Sequence, residues 1–348
     1  MEKEAEVEAI VISFINLKGG VGKTSATINI ADELSKEKKV LVIDMDPQFN
    51  ATQALLNHQL SNKRREIPKE LLSAVEKDFN ENYEKNIKES NEKEDKESIE
   101  KTKFDIKSQI IYNKLKESKM TAKTLFTKDA VATEIASPDL IYRIKENLYL
   151  VSGDLDLFET LNGDTAGKHN VLEDHFKEFD LRNTFDYILI DCPPNWTILT
   201  QASLFVSDYY IIPSKIDLFS SIGIGLLQSL VESTFHAKSS SIFSMYNMFR
   251  SSLNKPSIRP IGVLFTLTHD MVISEVLKSR LIKELKNLKF LESEIPYQSS
   301  VPLKFSLYSE AGDKYRSLTN ALEKVVLEID GIIEDNLGGE IDEETTIH

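Results

Sequence analysis

The chain has one cysteine, Cys192, and one tryptophan, Trp196, among 348 residues. A single cysteine excludes a disulfide framework and most cysteine-rich metal sites. Long hydrophobic runs are missing too. No stretch of about 18 apolar residues occurs, so no membrane-spanning helix is expected. The first residues, Met1-Glu2-Lys3-Glu4-Ala5-Glu6, lack the basic and apolar regions of a signal peptide, and a soluble cytoplasmic protein is the expectation. Net positive charge is also lacking: 42 Lys+Arg stand against 56 Asp+Glu, a net charge of −14. A nucleic-acid binder of this balance needs a local basic face, because its summed field is repulsive. The six histidines show no metal-ligand spacing such as H-E-x-x-H. His169 and His175 read as satisfied surface residues, and Trp196 as a packing residue.

What is present is a glycine-rich loop, Lys18-Gly19-Gly20-Val21-Gly22-Lys23-Thr24. An apolar run, Ile10 to Ile15, precedes it and a helical pattern follows. Strand, glycine-rich loop and helix form the context of a phosphate site. Glycines let backbone N–H groups converge on an anion, and the helix start adds its dipole. Lys23 is placed to reach β- and γ-phosphates, and the Thr24 hydroxyl to ligate Mg²⁺. The common G-x-x-x-x-G-K-[ST] pattern has glycine where this chain has Leu17. An extra lysine, Lys18, stands beside it.

Further along, Val40 to Ile43 reads as a second strand ending at Asp44. Apolar runs at Leu148–Val151, Phe185–Asp191, Tyr209–Pro213 and Ile261–Phe265 alternate with helical patterns. Such alternation indicates an α/β fold with a mostly parallel twisted sheet flanked by helices. Residues 62–119 are rich in Glu, Lys, Asn and Ser. They read as a charged helical insertion, with Leu71, Leu72, Val75 and Phe79 able to form a short amphipathic helix. The segment is either a solvated excursion or a partner-binding element. Residues 238–260 look like a second, smaller insertion. A C-terminal helix is expected from Gly312 to Ile332, followed by a frayed acidic tail, 334–348.

The segment K-G-G-V-G-K-T resembles the deviant Walker A motif of the ParA/MinD/Soj group of P-loop ATPases. Asp44-Met45-Asp46-Pro47-Gln48-Phe49-Asn50-Ala51-Thr52 is similar to that family's D-x-D-P-Q-G-N-A-T, with Phe49 in place of glycine. Asp191-Cys192-Pro193-Pro194 resembles its Walker B element. Ile211-Ile212-Pro213-Ser214 with Gly223–Leu226, and Ile295-Pro296-Tyr297, match its later segments more weakly. The resemblance covers about 1–58, 124–235 and 258–330. It implies one P-loop NTPase domain over 1–348, binding ATP and Mg²⁺ through Lys18, Gly19, Gly20, Val21, Gly22, Lys23, Thr24 and Ser25. It further implies that Lys18 crosses a homodimer interface to the phosphates held by the other subunit. Asp46 is then the residue that orients or activates the attacking water. Asp44 helps fix the loop and the Mg²⁺ shell, and Asp191 holds Mg²⁺ through water. Pro296 and Tyr297 come to lie near the adenine. Cys192 reads as a small packing residue. With no second cysteine, an iron–sulfur ATPase of the nitrogenase-iron-protein type does not fit.

Relatives of this type partition plasmid or chromosomal DNA, coating it without sequence preference and answering to a ParB-like centromere-binding protein. The best candidate DNA face here is a helix over about 274–290, carrying Lys278, Arg280, Lys283, Lys286 and Lys289; Arg250, Lys255 and Arg259, then Lys304, Lys314 and Arg316, are secondary candidates. An ordinary solvated helix face is the competing reading. Association with the nucleoid in the ATP state is the matching expectation for location. Two other functions stay open. One is a positioning ATPase for another cargo, of the MinD kind; the acidic end of the chain offers no basic amphipathic helix, so no membrane partner is expected. The other is a nucleotide-controlled regulatory module with negligible turnover, which Phe49 and the insertion favour.

Overall fold

The computed structural model describes residues 8–61, 67–84, 96–127, 139–161, 167–269, 271–298 and 306–345. Eight strands form one sheet in the order β3-β4-β2-β5-β1-β6-β7-β8. They are β1 Ile10–Phe14, β2 Val40–Asp44, β3 Tyr142–Lys145, β4 Leu148–Val151, β5 Tyr187–Asp191, β6 Tyr209–Ser214, β7 Arg259–Thr268 and β8 Ile295–Pro296. Every pairing is parallel except the edge pair β3–β4.

The central strands β1, β2, β5 and β6 are buried on both faces, as a sheet covered by crossover helices requires. Alternate residues serve opposite layers. Ile12, Phe14, Val40, Val42 and Leu189 face one core. Val11, Leu41, Ile43, Ile188 and Ile190 face the other. The first layer is closed by α1 Lys23–Leu34, α2 Asn50–Ser61, α3 Lys69–Asn82, α4 Lys96–Glu117 and, far along the chain, α10 Arg316–Thr345. The second is closed by α5 Val171–Glu178, α6 Ile198–Val206, α7 Ser220–Val231, α8 Phe243–Ser252 and α9 Val272–Glu284. Helix α1 shows how such an element forms. Ala26, Ile30, Ala31 and Leu34 recur on one face and are buried, and Gly22 opens the helix in a left-handed conformation.

Three expectations need revision. The charged insertion is part of the core: Val75 and Phe79 of α3, and Ile110, Ile111, Tyr112 and Leu115 of α4, are buried with Leu55, Leu56 and Leu60 of α2. Between its two helices Lys107 of α4 pairs with Glu76 of α3 at 2.6 Å. The second segment, 238–260, contains α8, whose Tyr246 is fully buried and accepts the Ile258 N–H on its hydroxyl oxygen at 2.7 Å. The C-terminal helix continues through most of the acidic tail, to Thr345. The stretch 85–95 of the insertion lies outside the described residues.

At the foot of the sheet, Asp208 is buried among cations. Its carboxylate accepts from Arg250 at 3.0 Å, from Lys255 at 3.2 Å and from the Val11 N–H at 3.0 Å. Burial works to raise its pKa, but Lys255, Arg250 and Arg182 hold it below the ordinary carboxylate range. Arg250 and Lys255 are therefore committed to the fold and are withdrawn as DNA contacts.

Because Ile111 is fully buried in this first core, Ile111→Ala should cost about 2–5 kcal/mol of stability in denaturant titration. A loss near zero would mean that α4 is a detached excursion.

Candidate nucleotide-binding site

The parallel sheet brings the carboxyl ends of β1, β5 and β2 side by side. Phe14 pairs with Asp191, and Asp191 with Asp44. Loops leaving neighbouring strands toward opposite faces open a crevice at this edge. A cavity of about 2110 Å³ lies there, lined at one end by Gly20, Lys23, Thr24 and Asp46. It exceeds the roughly 300–1,000 Å³ of common ligand pockets, and its far wall is the insertion helix α4.

The glycine-rich loop is anchored at both ends. Buried Asn16 donates Nδ2 to Pro213 O at 2.8 Å and accepts the Lys18 N–H at 2.9 Å. Thr266 donates its hydroxyl to Val21 O at 2.5 Å. Gly20 and Gly22 have φ of +68° and +77°, which only glycine adopts without strain. No side chain caps α1, so its first N–H groups face the cavity with the positive end of the helix dipole.

The charged groups follow from this frame. Lys23 is buried; burial lowers its pKa, while Asp191 and Asp46 work to keep it charged. Thr24 donates to Asp191 Oδ2 at 2.7 Å, and Thr27 to Asp191 Oδ1 at 3.5 Å. Asp44 accepts the Thr52 N–H and hydroxyl, both at 2.8 Å. Burial, then the adjacent Asp191 carboxylate, push Asp44 well above its ordinary value. Burial raises Asp191 from 3.8 to about 7 despite the donors from Thr24 and the charge of Lys23. Asp46 is raised by burial against the opposing Gln48 N–H and Lys23. Two carboxylates, Asp191 and Asp46, thus act on the buried lysine, and Asp44 lies against Asp191. An oxygen-only donor set of Thr24, Asp191 and Asp44 suits a hard cation such as Mg²⁺, which takes few protein ligands and retains water.

Lys18 is turned away from this cavity. Its ammonium pairs with Asp217 Oδ2 at 2.5 Å, with the lysine side chain 43% exposed. Although burial raises Asp217, Lys18 and the Phe219 N–H hold its carboxyl below the ordinary range. Phe49 adopts φ +43°, a left-handed conformation costing about 1–2 kcal/mol for a residue with a Cβ. Its ring stacks on Tyr112 of α4, centroids 4.6 Å apart and planes at 5°. Tyr297 borders the cavity and packs on His269 at 5.0 Å, whereas Pro296 does not line it. Cys192 is buried with its thiol pushed up to about 12 by burial, as suits a packing residue. Trp196 is partly buried against the second core. His175, expected at the surface, is fully buried, with its ring against Phe179.

A family model described as an AAA domain matches residues 9–244, more than half of the chain. The chain belongs to the ParA/MinD-type AAA-domain ATPase family. An uncharacterized protein of Methanocaldococcus jannaschii is 28% identical over 84% of each chain. The sporulation initiation inhibitor protein Soj of Bacillus subtilis is 26% identical over 64% of each chain. The chromosome partitioning protein ParA of Caulobacter vibrioides is 24% identical over 64% of this chain and 62% of its own. The chain thus spans under two thirds of the length of these two named relatives. Among solved structures, a putative plasmid partition protein of Borrelia burgdorferi B31 bound to AMPPNP has a TM-score of 0.56 at 19% identity, covering 92% of this chain and all of its own. An ATP complex of McdA from Cyanothece has a TM-score of 0.57 at 18% identity, covering 93% and 97%. These two likenesses show that the chain shares their fold.

The expected DNA helix is shorter than the sequence suggests, ending at Glu284. Lys278 is paired with Glu294, and Arg280 with Glu284 at 2.7 Å. Lys283, Lys286 and Lys289 are exposed. Lys304 lies outside the described residues, as does the side chain of Lys314. Sequence reasoning missed Asp217, Thr266, Asn16 and Tyr112. Only tertiary pairing identifies them, since none belongs to a motif.

The raised pKa of Asp191 has a thermodynamic consequence. Its carboxyl ionises near 3.8 unfolded and near about 7 folded, so the folded state holds the extra proton between these values. That contribution is present at the acid end and is lost as pH rises through the window. Melting of the nucleotide-free protein from about pH 4 to 7 should show it, and Asp191→Asn should flatten the slope. Identical slopes in both proteins would contradict the assignment.

Proposed function

We propose that this chain is a partition ATPase that couples ATP binding to homodimerisation and hydrolysis to release. The observation that carries the reading is the pair of lysines on one loop: Lys23 buried inside the cavity and Lys18 exposed outside it. A cation held outside its own site is available to a second copy. In the ATP state Lys18 leaves Asp217 and reaches the phosphates of the facing subunit, so the dimer forms where nucleotide is bound.

The site residues then divide the work. N–H groups from Gly19 to Thr24, with Ser25, bind the phosphates. Lys23 balances the charge of the β- and γ-phosphates. Thr24 and Asp191 would hold Mg²⁺, with Asp44 behind them. Held there, the ion would supply charge neutralisation for the phosphate oxygens. Asp46 orients the attacking water and receives its proton as ATP and water become ADP and phosphate. Its burial and raised pKa suit a proton acceptor. Tyr297, exposed at the cavity edge, is the candidate adenine contact.

Membership of the ParA/MinD-type family and the likeness to Soj, ParA and a plasmid partition protein support DNA as the cargo. Lys283, Lys286 and Lys289 are the candidate phosphate contacts, doubled by dimerisation. A ParB-like protein is the proposed stimulating partner. No helix among the described residues is long and apolar enough to cross a membrane.

Turnover measured with DNA and partner tests the reading. Asp46→Ala should lower the rate by about 10²-fold or more while ATP-dependent DNA retention persists. Equal turnover in both proteins would refute Asp46 as the water-positioning group. Replacing Lys283, Lys286 and Lys289 by Ala should reduce the salt slope of DNA binding by about 0.9 for each lysine that meets a phosphate. A slope unchanged by the triple substitution would remove this exposed lysine cluster from the DNA face.

A further inference from the structure

The loop after β2 is a closed turn. The Phe49 N–H donates to Asp46 O at 2.8 Å, and the Gln48 N–H to Asp46 Oδ1 at 3.0 Å. The Gln53 N–H donates to Phe49 O at 3.1 Å, which joins the turn to α2. Phe49 is thus the residue whose backbone closes the turn that carries Asp46. It does so in a left-handed conformation that glycine fills without strain.

Two neighbours hold it there. On one side is Gly153, just past β4, where a Cβ would come within 2.9 Å of both Phe49 Cβ and Asp44 Cγ. On the other is the Tyr112 ring. Tyr112 is itself fixed by its helix. Asp105, seven residues earlier in α4, accepts Asn57 Nδ2 of α2 at 2.8 Å. Lys116, one turn later, pairs with Asp156 at 2.9 Å and Asp154 at 3.3 Å, just beyond Gly153. Ile111 and Leu115 bury the helix against the first core. The insertion therefore presents one rigid aromatic face to the one strained residue of the Asp46 turn.

We infer that Tyr112 is a positioning residue for hydrolysis: by clamping the Phe49 ring it fixes the turn that aims Asp46. The inference rests on the hydrolytic reading above. It makes catalysis in this chain depend on a docked α4.

A double-mutant cycle tests it, using the full chain and two readouts: kcat and KM for ATP, and amide exchange at Gln48, Phe49 and Gln53 without nucleotide. Tyr112→Ala should lower kcat roughly tenfold with KM little changed, and speed exchange at those amides. Tyr112→Phe, which keeps the ring, should behave as wild type. In a Phe49→Gly background, where the turn needs no clamp, Tyr112→Ala should change neither readout. The inference is overturned if Tyr112→Ala leaves both readouts at wild-type values, if Tyr112→Phe fails equally, or if the effect persists undiminished with Phe49→Gly. Wild-type protein without turnover would overturn the hydrolytic reading and the positioning role together. The exchange measurement, which needs no nucleotide, would still decide whether the ring clamps the turn.

Discussion

One buried lysine at the edge of a cluster of three carboxylates is the constraint on which the rest of this structure turns. Lys23 interacts with Asp191 and Asp46, and Asp44 stands beside Asp191 where β2 and β5 end. Burying such charges costs several kcal/mol per ion unless each is paired or hydrogen-bonded. The neighbouring sequence meets that demand locally: Thr24 and Thr27 donate to Asp191, Thr52 donates twice to Asp44, and the Gln48 N–H donates to Asp46. The carboxylates still outnumber the cation, and Asp44 and Asp191 are pushed toward protonation. A divalent cation and a second lysine from a facing subunit are the kinds of charge that such a site accepts.

The same constraint explains the placement of the insertion. Asp46 must be held on a turn beside the buried cluster, and the turn's last residue must be left-handed. A phenylalanine there brings an apolar ring to the rim of a polar cavity. Helix α4 covers that ring with Tyr112 while its own apolar face completes the first core. A segment that reads as solvated charge is thereby part of both the packing and the cavity wall.

How much of this was legible depended on whether the deciding contact is local. The loop from Lys18 to Thr24, the D-x-D after β2 and Asp191 are fixed by neighbours in sequence, so motif and strand context located them, and the sheet brings their strand ends together. The longer parallel strands were readable from their continuous apolar runs; the two-residue β8, Ile295–Pro296, was not. The edge strand β3, Tyr142-Arg143-Ile144-Lys145, was not, because its alternating polar residues resemble a loop until it pairs with β4. Charge counting misjudged the insertion, since its buried positions on α4 are spread among lysines and glutamates. It also misjudged Arg250 and Lys255, whose partner Asp208 lies more than forty positions away. Lys18 was identified by its place in the motif, but its bond to Asp217 across 199 positions had no signal in the sequence.

A site shared between two subunits is tested most directly by mixing two inactive proteins. Lys18→Gln removes the lysine given to the partner, and Asp46→Ala removes the residue that positions water in its own site. A mixed dimer contains one intact site, built from Asp46 of one subunit and Lys18 of the other. Equal mixing with random pairing should recover about a quarter of the wild-type turnover, since half of the dimers are mixed and each has one working site of two. Turnover no higher than the average of the two separate variants would contradict a lysine acting across the dimer.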